Sequence, residues 1–334
     1  MTTEHNTATY ELVRRHAGQF SRTDLGRIAV SGTDRASYLN GLLTNDVVAL
    51  AAGQGCYAAY LTAQGRMITD LHVYELGDVI LLTLPRDVKD AVLAKLDQFV
   101  FSEDVKIGDA TDSFACVALV GPDAASIAGQ MLGGVAPGAL AALPEHGNLR
   151  ARFDGQDVIV LRVSDTGEPG FELLIDATAV TALASALGVA GARLVDPELV
   201  DVLRVEAGVP KFHHDMDEDT IPLEAGIEPR AISSTKGCYV GQEVIIRVLH
   251  RGHGRVARRL VGLTLEGVAV PAAGTMVHAQ SREIGRVTSA VASPALNRPI
   301  ALATLHRDFT EAGTRVTVDA TDAIVTALPF VSPR

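Results

Sequence analysis

Near residue 260 the texture of the chain changes, and this change limits its possible folds more than any other feature. Beyond it, short β-like runs at 261–265, 275–278, 285–290, 300–304 and 315–318 are separated by Gly and Pro at close intervals. Strands that short and that evenly punctuated close most readily into a small antiparallel barrel. Before it, strand-like runs alternate with helical ones. The run at 26–30 precedes a helix ending near Leu43, a meander covers 56–84, and Val88, Val92, Leu96 and Phe99 mark one helix face. Asp196-Pro197 supplies an N-cap and a first-turn proline for a helix that Gly208 ends. No glycine-rich turn links a strand to a helix, so the pattern predicts α+β layers and not a dinucleotide fold. The expected division is an α+β body over 1–250 and a barrel domain over 255–334.

Charge follows the same division. Residues 246–334 hold 11 Arg, no Lys and 6 acidic residues, a surplus of five positive charges. The whole chain of 334 residues carries −11, which leaves −16 for the body and argues against a general polyanion binder. At 47% hydrophobic and 21% charged, the composition is that of a globular chain with a core. Three cysteines without a C-x-x-C pair exclude a disulfide scaffold, a zinc ribbon and a self-contained cluster site, and they suit a reducing, cytoplasmic setting. No run approaches 18 apolar residues, and the polar amino terminus lacks the order of a signal peptide, so no membrane association is expected.

Four segments carry candidate chemistry. In Lys236-Gly237-Cys238-Tyr239-Val240-Gly241-Gln242-Glu243 two glycines bracket a thiol, and nearby positive charge favours a thiolate; the alternative is an inert cysteine beside a structural turn. Cys56 and Cys116 lie in strand-like runs and read as core. Glu206 sits in the last turn of an apolar helix, where a carboxylate is disfavoured unless it meets donors. Those donors are either adjacent N–H and NH₂ groups on a flat ring, as on a pterin edge, or an arginine such as Arg204. A basic run, Arg247, His250-Arg251-Gly252-His253-Gly254-Arg255 and Arg258-Arg259, suits carboxylate or phosphate capture or is a solvated linker. Asp70, within a strand, either faces water or points into a pocket where it would orient a nucleophile or hold an amine. The acidic stretch His213 to Asp219 lacks the ligand spacing of a calcium loop and reads as solvated.

Together these motifs resemble the YgfZ family of folate-binding proteins, relatives of the aminomethyltransferase (T-protein) of the glycine cleavage system. Leu203 to Gly208, Ile221-Pro222-Leu223-Glu224-Ala225-Gly226 and Lys236 to Glu243 carry the resemblance. Thr44-Asn45-Asp46, Gly65 to Leu71, Thr166 to Glu172 and Gly285 to Ser289 extend it over nearly the whole chain. It implies a T-protein-like folate-binding body, a cloverleaf of mixed α/β subdomains, with a carboxy-terminal β-barrel and tetrahydrofolate or a derivative in the central hole. By motif position Glu206 would hold the pterin, and Arg247 and Arg255 would receive the glutamate tail. In the YgfZ branch the cysteine matching Cys238 is tied to assembly or repair of iron–sulfur proteins, tRNA-modifying radical enzymes among them. The implied partners are therefore folate and iron–sulfur client or assembly proteins, with no nucleic-acid binding and no resident metal.

Two departures from the T-protein bear on this. Thr69-Asp70 stands where the T-protein carries two adjacent aspartates, and the T-protein lacks a cysteine in the segment matching 236–243. The alternatives are a folate-dependent aminomethyl or methyl transferase using Asp70, and a module that carries or senses folate without chemistry.

Overall fold

The computed structural model describes residues 3–251 and 255–332. Its body is built on two antiparallel-rich sheets. The first has the strand order Gly55–Leu61, Met67–Glu75, Ile80–Pro85, Leu25–Ser31, Lys106–Asp109, every pairing antiparallel. The second runs Arg193–Leu194, Gly18–Ser21, Ala115–Val120, Gly170–Ile175, Gln156–Val163, Asn148–Phe153; only its first pair is parallel. Six strands, from Arg258–Leu265 to Thr321–Thr326, close the expected barrel.

Strand periodicity sets which side chains face the space between the sheets. Along Met67–Glu75, Met67, Leu71 and Val73 enter a core with Leu39, Leu61 and Leu223. The alternate residues Asp70, His72 and Tyr74 therefore point to the opposite face. Across the gap, Phe171, Leu173 and Ile175 pack with Ile127 and Leu183 on the outer side of their sheet, which turns Glu172 and Leu174 inward. The two inner faces meet where Tyr74 and Leu81 pack on Cys116, Ile159, Leu161 and Leu174.

The helix Pro197–Glu206 fixes the barrel to the body. Asp196 caps it by accepting from the Leu199 amide at 2.9 Å, with Pro197 in the first turn. Its Val205 packs on Leu260, Val291, Ile300 and Leu302 of the barrel. Gly208, at φ +69°, ends it, and a Cβ there would lie 2.9 Å from Leu328.

Some elements escape the sequence pattern. The helix Thr3–Arg15, the strand Asn148–Phe153 and the last barrel strand Thr321–Thr326 lie where no run was expected, 148–153 directly after a loop-like Gly-, Ala- and Pro-rich stretch. In Asn148–Phe153 only Asn148, Ala151 and Phe153 are buried, and the exposed, charged Arg150 and Arg152 disguise it. Among the described residues no helix is long and apolar enough to cross a membrane.

Candidate active site between the two sheets

Asp70 points into the inter-sheet space. Its Oδ2 accepts from the Tyr57 hydroxyl at 2.8 Å, while its Oδ1 is buried and has no partner among the described residues. Burial pushes the carboxyl up to about 6, against the opposing pull of the Tyr57 hydrogen bond. Tyr57 is held from two sides. The Arg230 guanidinium lies 5.2 Å from its ring centroid, and the His72 ring packs against it at 5.2 Å. The short helix Glu228–Ala231, which bears Arg230, is anchored by Asn45, whose amide donates to the carbonyls of Tyr57 at 2.8 Å and Arg230 at 3.0 Å.

A second carboxylate faces the same space. Glu172, 2% exposed, accepts from Arg22 at 2.5 Å through Oε1, and its Oε2 has no partner among the described residues. Burial pushes its pKa up, with Arg22 opposing. Arg22 also holds Asp24 at 3.0 Å and reaches Asp165 at 4.0 Å. Phe20 and Val163 flank an apolar slot ending on Arg22, Asp165, Thr166 and Glu172, and the buried Thr166 hydroxyl has no partner among the described residues. Buried polar atoms are rarely left unpaired in a finished core. Glu172 Oε2 and the Thr166 hydroxyl are thus open to a ligand's donors at one end of the slot.

Glu206, expected from its motif to hold a pterin, does not line this slot. Its Oε2 accepts from the Tyr10 hydroxyl at 2.7 Å and its Oε1 from the Ser293 hydroxyl at 2.5 Å, with the residue 1% exposed. Both oxygens are thus engaged at the junction of the first helix, the body and the barrel. Nor does Arg204 pair with it: Arg204 binds Asp201 and, at 2.7 Å, Asp215. Asp215 is buried, held also by the Thr288 hydroxyl at 2.6 Å, so the stretch from His213 to Asp219 is only partly solvated.

The segment 236–243 lies outside the slot. Lys236 donates to the carbonyls of Asn40 at 2.5 Å, Leu43 at 2.6 Å and Asn45 at 3.1 Å, using all three ammonium protons at the end of the helix Arg35–Leu42. Burial lowers its pKa to about 8. The thiol that interacts electrostatically with it is the half-buried Cys56, pushed up to about 12 by burial, and not Cys238 as the spacing suggested. Cys238 is exposed. Tyr239 is buried in the core of the first sheet, and Gln242 and Glu243 begin the short helix Gln242–Ile246. Of the two glycines only Gly241 is required: at φ +84° its Cβ would lie 2.5 Å from the Thr62 carbonyl, whereas a Cβ on Gly237 meets nothing within 4 Å.

Neither Arg247 nor Arg255 lines the slot. Arg247 is exposed and pairs with Glu243 one turn back, and Arg255 is exposed. Gly252, His253, Gly254 and the side chain of Arg251 lie outside the described residues. No group of three or more His, Cys, Asp or Glu among the described residues is arranged to hold a metal ion.

Sequence reasoning found Asp70 but missed Tyr57, Arg22 and Glu172. The signal for Glu172 was present: an acidic residue inside an apolar strand run, the pattern that singled out Asp70.

Comparison with known proteins gives the same architecture. Residues 2–236 match the model of the GCVT N-terminal domain, and residues 258–332 match the glycine cleavage T-protein C-terminal barrel domain. The chain belongs to the glycine cleavage T-protein family. Among its relatives is an aminomethyltransferase of Rubrobacter xylanophilus, 34% identical over 325 residues, covering 97% of this chain and 85% of that protein. Another, from Streptomyces avermitilis, is 33% identical over 328 residues, covering 95% and 87%. The crystal structure of glycine cleavage system aminomethyltransferase T from Bartonella henselae superposes with a TM-score of 0.85 at 25% identity, over 98% of this chain and 90% of that one. The resemblance is thus met at the level of the T-protein family.

Two outcomes follow from the geometry. An Asp carboxyl titrating at about 6 when folded and ~3.9 when unfolded binds more protons folded, so its burial costs stability as pH rises from about 4 to 6. Asp70→Asn should therefore leave stability near wild type at pH 4 and exceed it by about 2–3 kcal/mol at pH 8, read from urea midpoints at both pH values. Gly241→Ala should lose about 1–3 kcal/mol in the same assay. Gly237→Ala should stay within about 0.5 kcal/mol of wild type.

Proposed function

We propose that the chain binds a reduced folate between the two sheets and handles a one-carbon unit there, in the manner of an aminomethyltransferase. The observation that carries this reading is the Asp70 carboxylate: buried, oriented by Tyr57, and with one oxygen open to a ligand. The printed names of the relatives, matched over 85% or more of their length, support the same activity. Tetrahydrofolate, when bound, supplies nitrogen atoms that take up the one-carbon unit.

The chain's own residues divide the work. Glu172 Oε2 and the Thr166 hydroxyl are the groups available to a pteridine edge, with Phe20 and Val163 beside it. Glu172 is the carboxylate that faces this slot, whereas Glu206, held by Tyr10 and Ser293, does not line it. Asp70 Oδ1 accepts a hydrogen bond or a proton from an amine N–H, and a carboxyl titrating near 6 is ionised yet basic enough for that work at neutral pH. Arg247 and Arg255, both exposed, receive the glutamate tail, each guanidinium offering a planar fork of donors to a carboxylate.

Purified protein given tetrahydrofolate and an aminomethyl donor should form methylenetetrahydrofolate, at a rate that climbs between pH 5 and 7 as Asp70 ionises. Asp70→Asn should lower kcat by a factor of about 10²–10⁴ while folate affinity by calorimetry stays within a few-fold. Folate binding without turnover in the wild type would overturn the transferase reading.

A second reading, maintenance of iron–sulfur proteins with folate as cofactor, is favoured by the exposed Cys238 in its motif loop. One thiol cannot hold a cluster unaided, so partner proteins would supply the other ligands. Under this reading Cys238→Ala keeps folate affinity and abolishes function in a cluster-maturation assay. Full maturation activity in that variant removes the thiol from the mechanism.

A further inference from the structure

The strand face that presents Asp70 also presents His72 and Tyr74, which the folate assignment does not use. The His72 ring lies 5.1 Å from His146 and 6.1 Å from Tyr74, in addition to its contact with Tyr57. Its Nε2 stands 3.7 Å from Asp165 Oδ1, beyond direct hydrogen-bond reach. Burial lowers His72 to about 4, with Asp165 opposing, and lowers His146 as well. Both rings are therefore neutral at pH 7, each with a lone pair able to accept an N–H bond.

Three polar atoms here are buried without a partner among the described residues: the Tyr74 hydroxyl, His146 Nδ1 and Asp70 Oδ1. Tyr74 is wholly buried, and the carboxylates nearest it in effect are Glu172, Asp165 and Glu145. The acidic groups acting on this cluster are Asp70, Asp165, Glu145 and Glu172, against Arg22 and Arg230. Arg22 is engaged by Glu172 and Asp24, and Arg230 covers the Tyr57 ring. Negative charge is in excess, ring faces are present, and the open atoms can accept. A compact cation with several N–H donors meets all three conditions.

We propose that His72, His146, Tyr74 and Asp165 form a subsite for a small primary ammonium ion beside Asp70. It deepens the amine-handling role given above to Asp70 and rests on that reading. The subsite places the cation next to the carboxylate and shares Asp165 with the slot ending on Glu172 and Thr166. Its two histidines act by positioning.

The test uses the full-length protein without folate. Methylammonium chloride is titrated in while the imidazole ¹H–¹⁵N signals of His72 and His146 are followed by NMR, with sodium chloride at matched ionic strength as reference. Saturable shifts of both rings with methylammonium, and none with sodium, are expected. His72→Phe and His146→Asn should each weaken methylammonium binding at least tenfold and leave folate affinity within twofold. Asn is chosen at 146 because φ is +61° there. Shifts that do not saturate, or that sodium reproduces, overturn the subsite, and the wild-type titration decides this even if a variant misfolds. Folate binding without a methylammonium response leaves the folate assignment standing alone. A methylammonium response without folate binding does the reverse.

Discussion

The fold depends on a carboxylate that could not remain buried without its two hydroxyl donors. Glu206 ends the helix Pro197–Glu206 with its charge turned away from water, in the turn where the helix dipole is least favourable to it. Tyr10 from the first helix and Ser293 from the barrel each give it a hydrogen bond, and its main-chain carbonyl accepts from the amides of Phe330 at 2.8 Å and Val331 at 3.1 Å. Three parts of the chain far apart in sequence are therefore bound to one residue. A second buried pair close by, Arg14 with Glu168, ties the first helix to the loop before the strand Gly170–Ile175. Charge-assisted bonds of this kind contribute about 1.5–3 kcal/mol each when made, and more is lost when one partner is removed.

With those junctions made, the inter-sheet space follows from strand alternation. The same period of two that sends Leu71 and Val73 to the core sends Asp70 and His72 to the gap. Polar groups accumulate there unpaired because each sheet satisfies its own main chain and leaves the side chains to be met from outside. Their cost to stability, largest for Asp70 at neutral pH, is the usual mark of a site kept ready for a ligand.

Much of the architecture was legible in the sequence because it rests on local rules. The barrel was visible in its Gly and Pro punctuation, and the helix capped by Asp196 in its Asp-Pro start. The roles of single residues were less legible. Glu206 was read as a ligand anchor because a lone carboxylate in an apolar helix must find donors, which is correct. The donors proved to be Tyr10 and Ser293, 196 and 87 residues away in sequence, and no local pattern announces such partners. Lys236 was read as activating Cys238 from its spacing of two, yet its ammonium turns to the end of another helix. Glu172 was overlooked because its partner Arg22 comes from a strand edge 150 residues earlier.

The way Lys236 and Gly241 are seated also governs how Cys238 can be approached. One is tied to the helix Arg35–Leu42, and the other lies against the Gly65 turn, its Cβ position 3.2 Å from the Gly65 Cα. Tyr239 is sunk into the core between them. The short arc that displays the sulfur is thus pegged at both feet and in the middle, and it has no slack with which to swing. Any molecule that reacts with this thiol has to travel to it, like a visitor to a fixed counter.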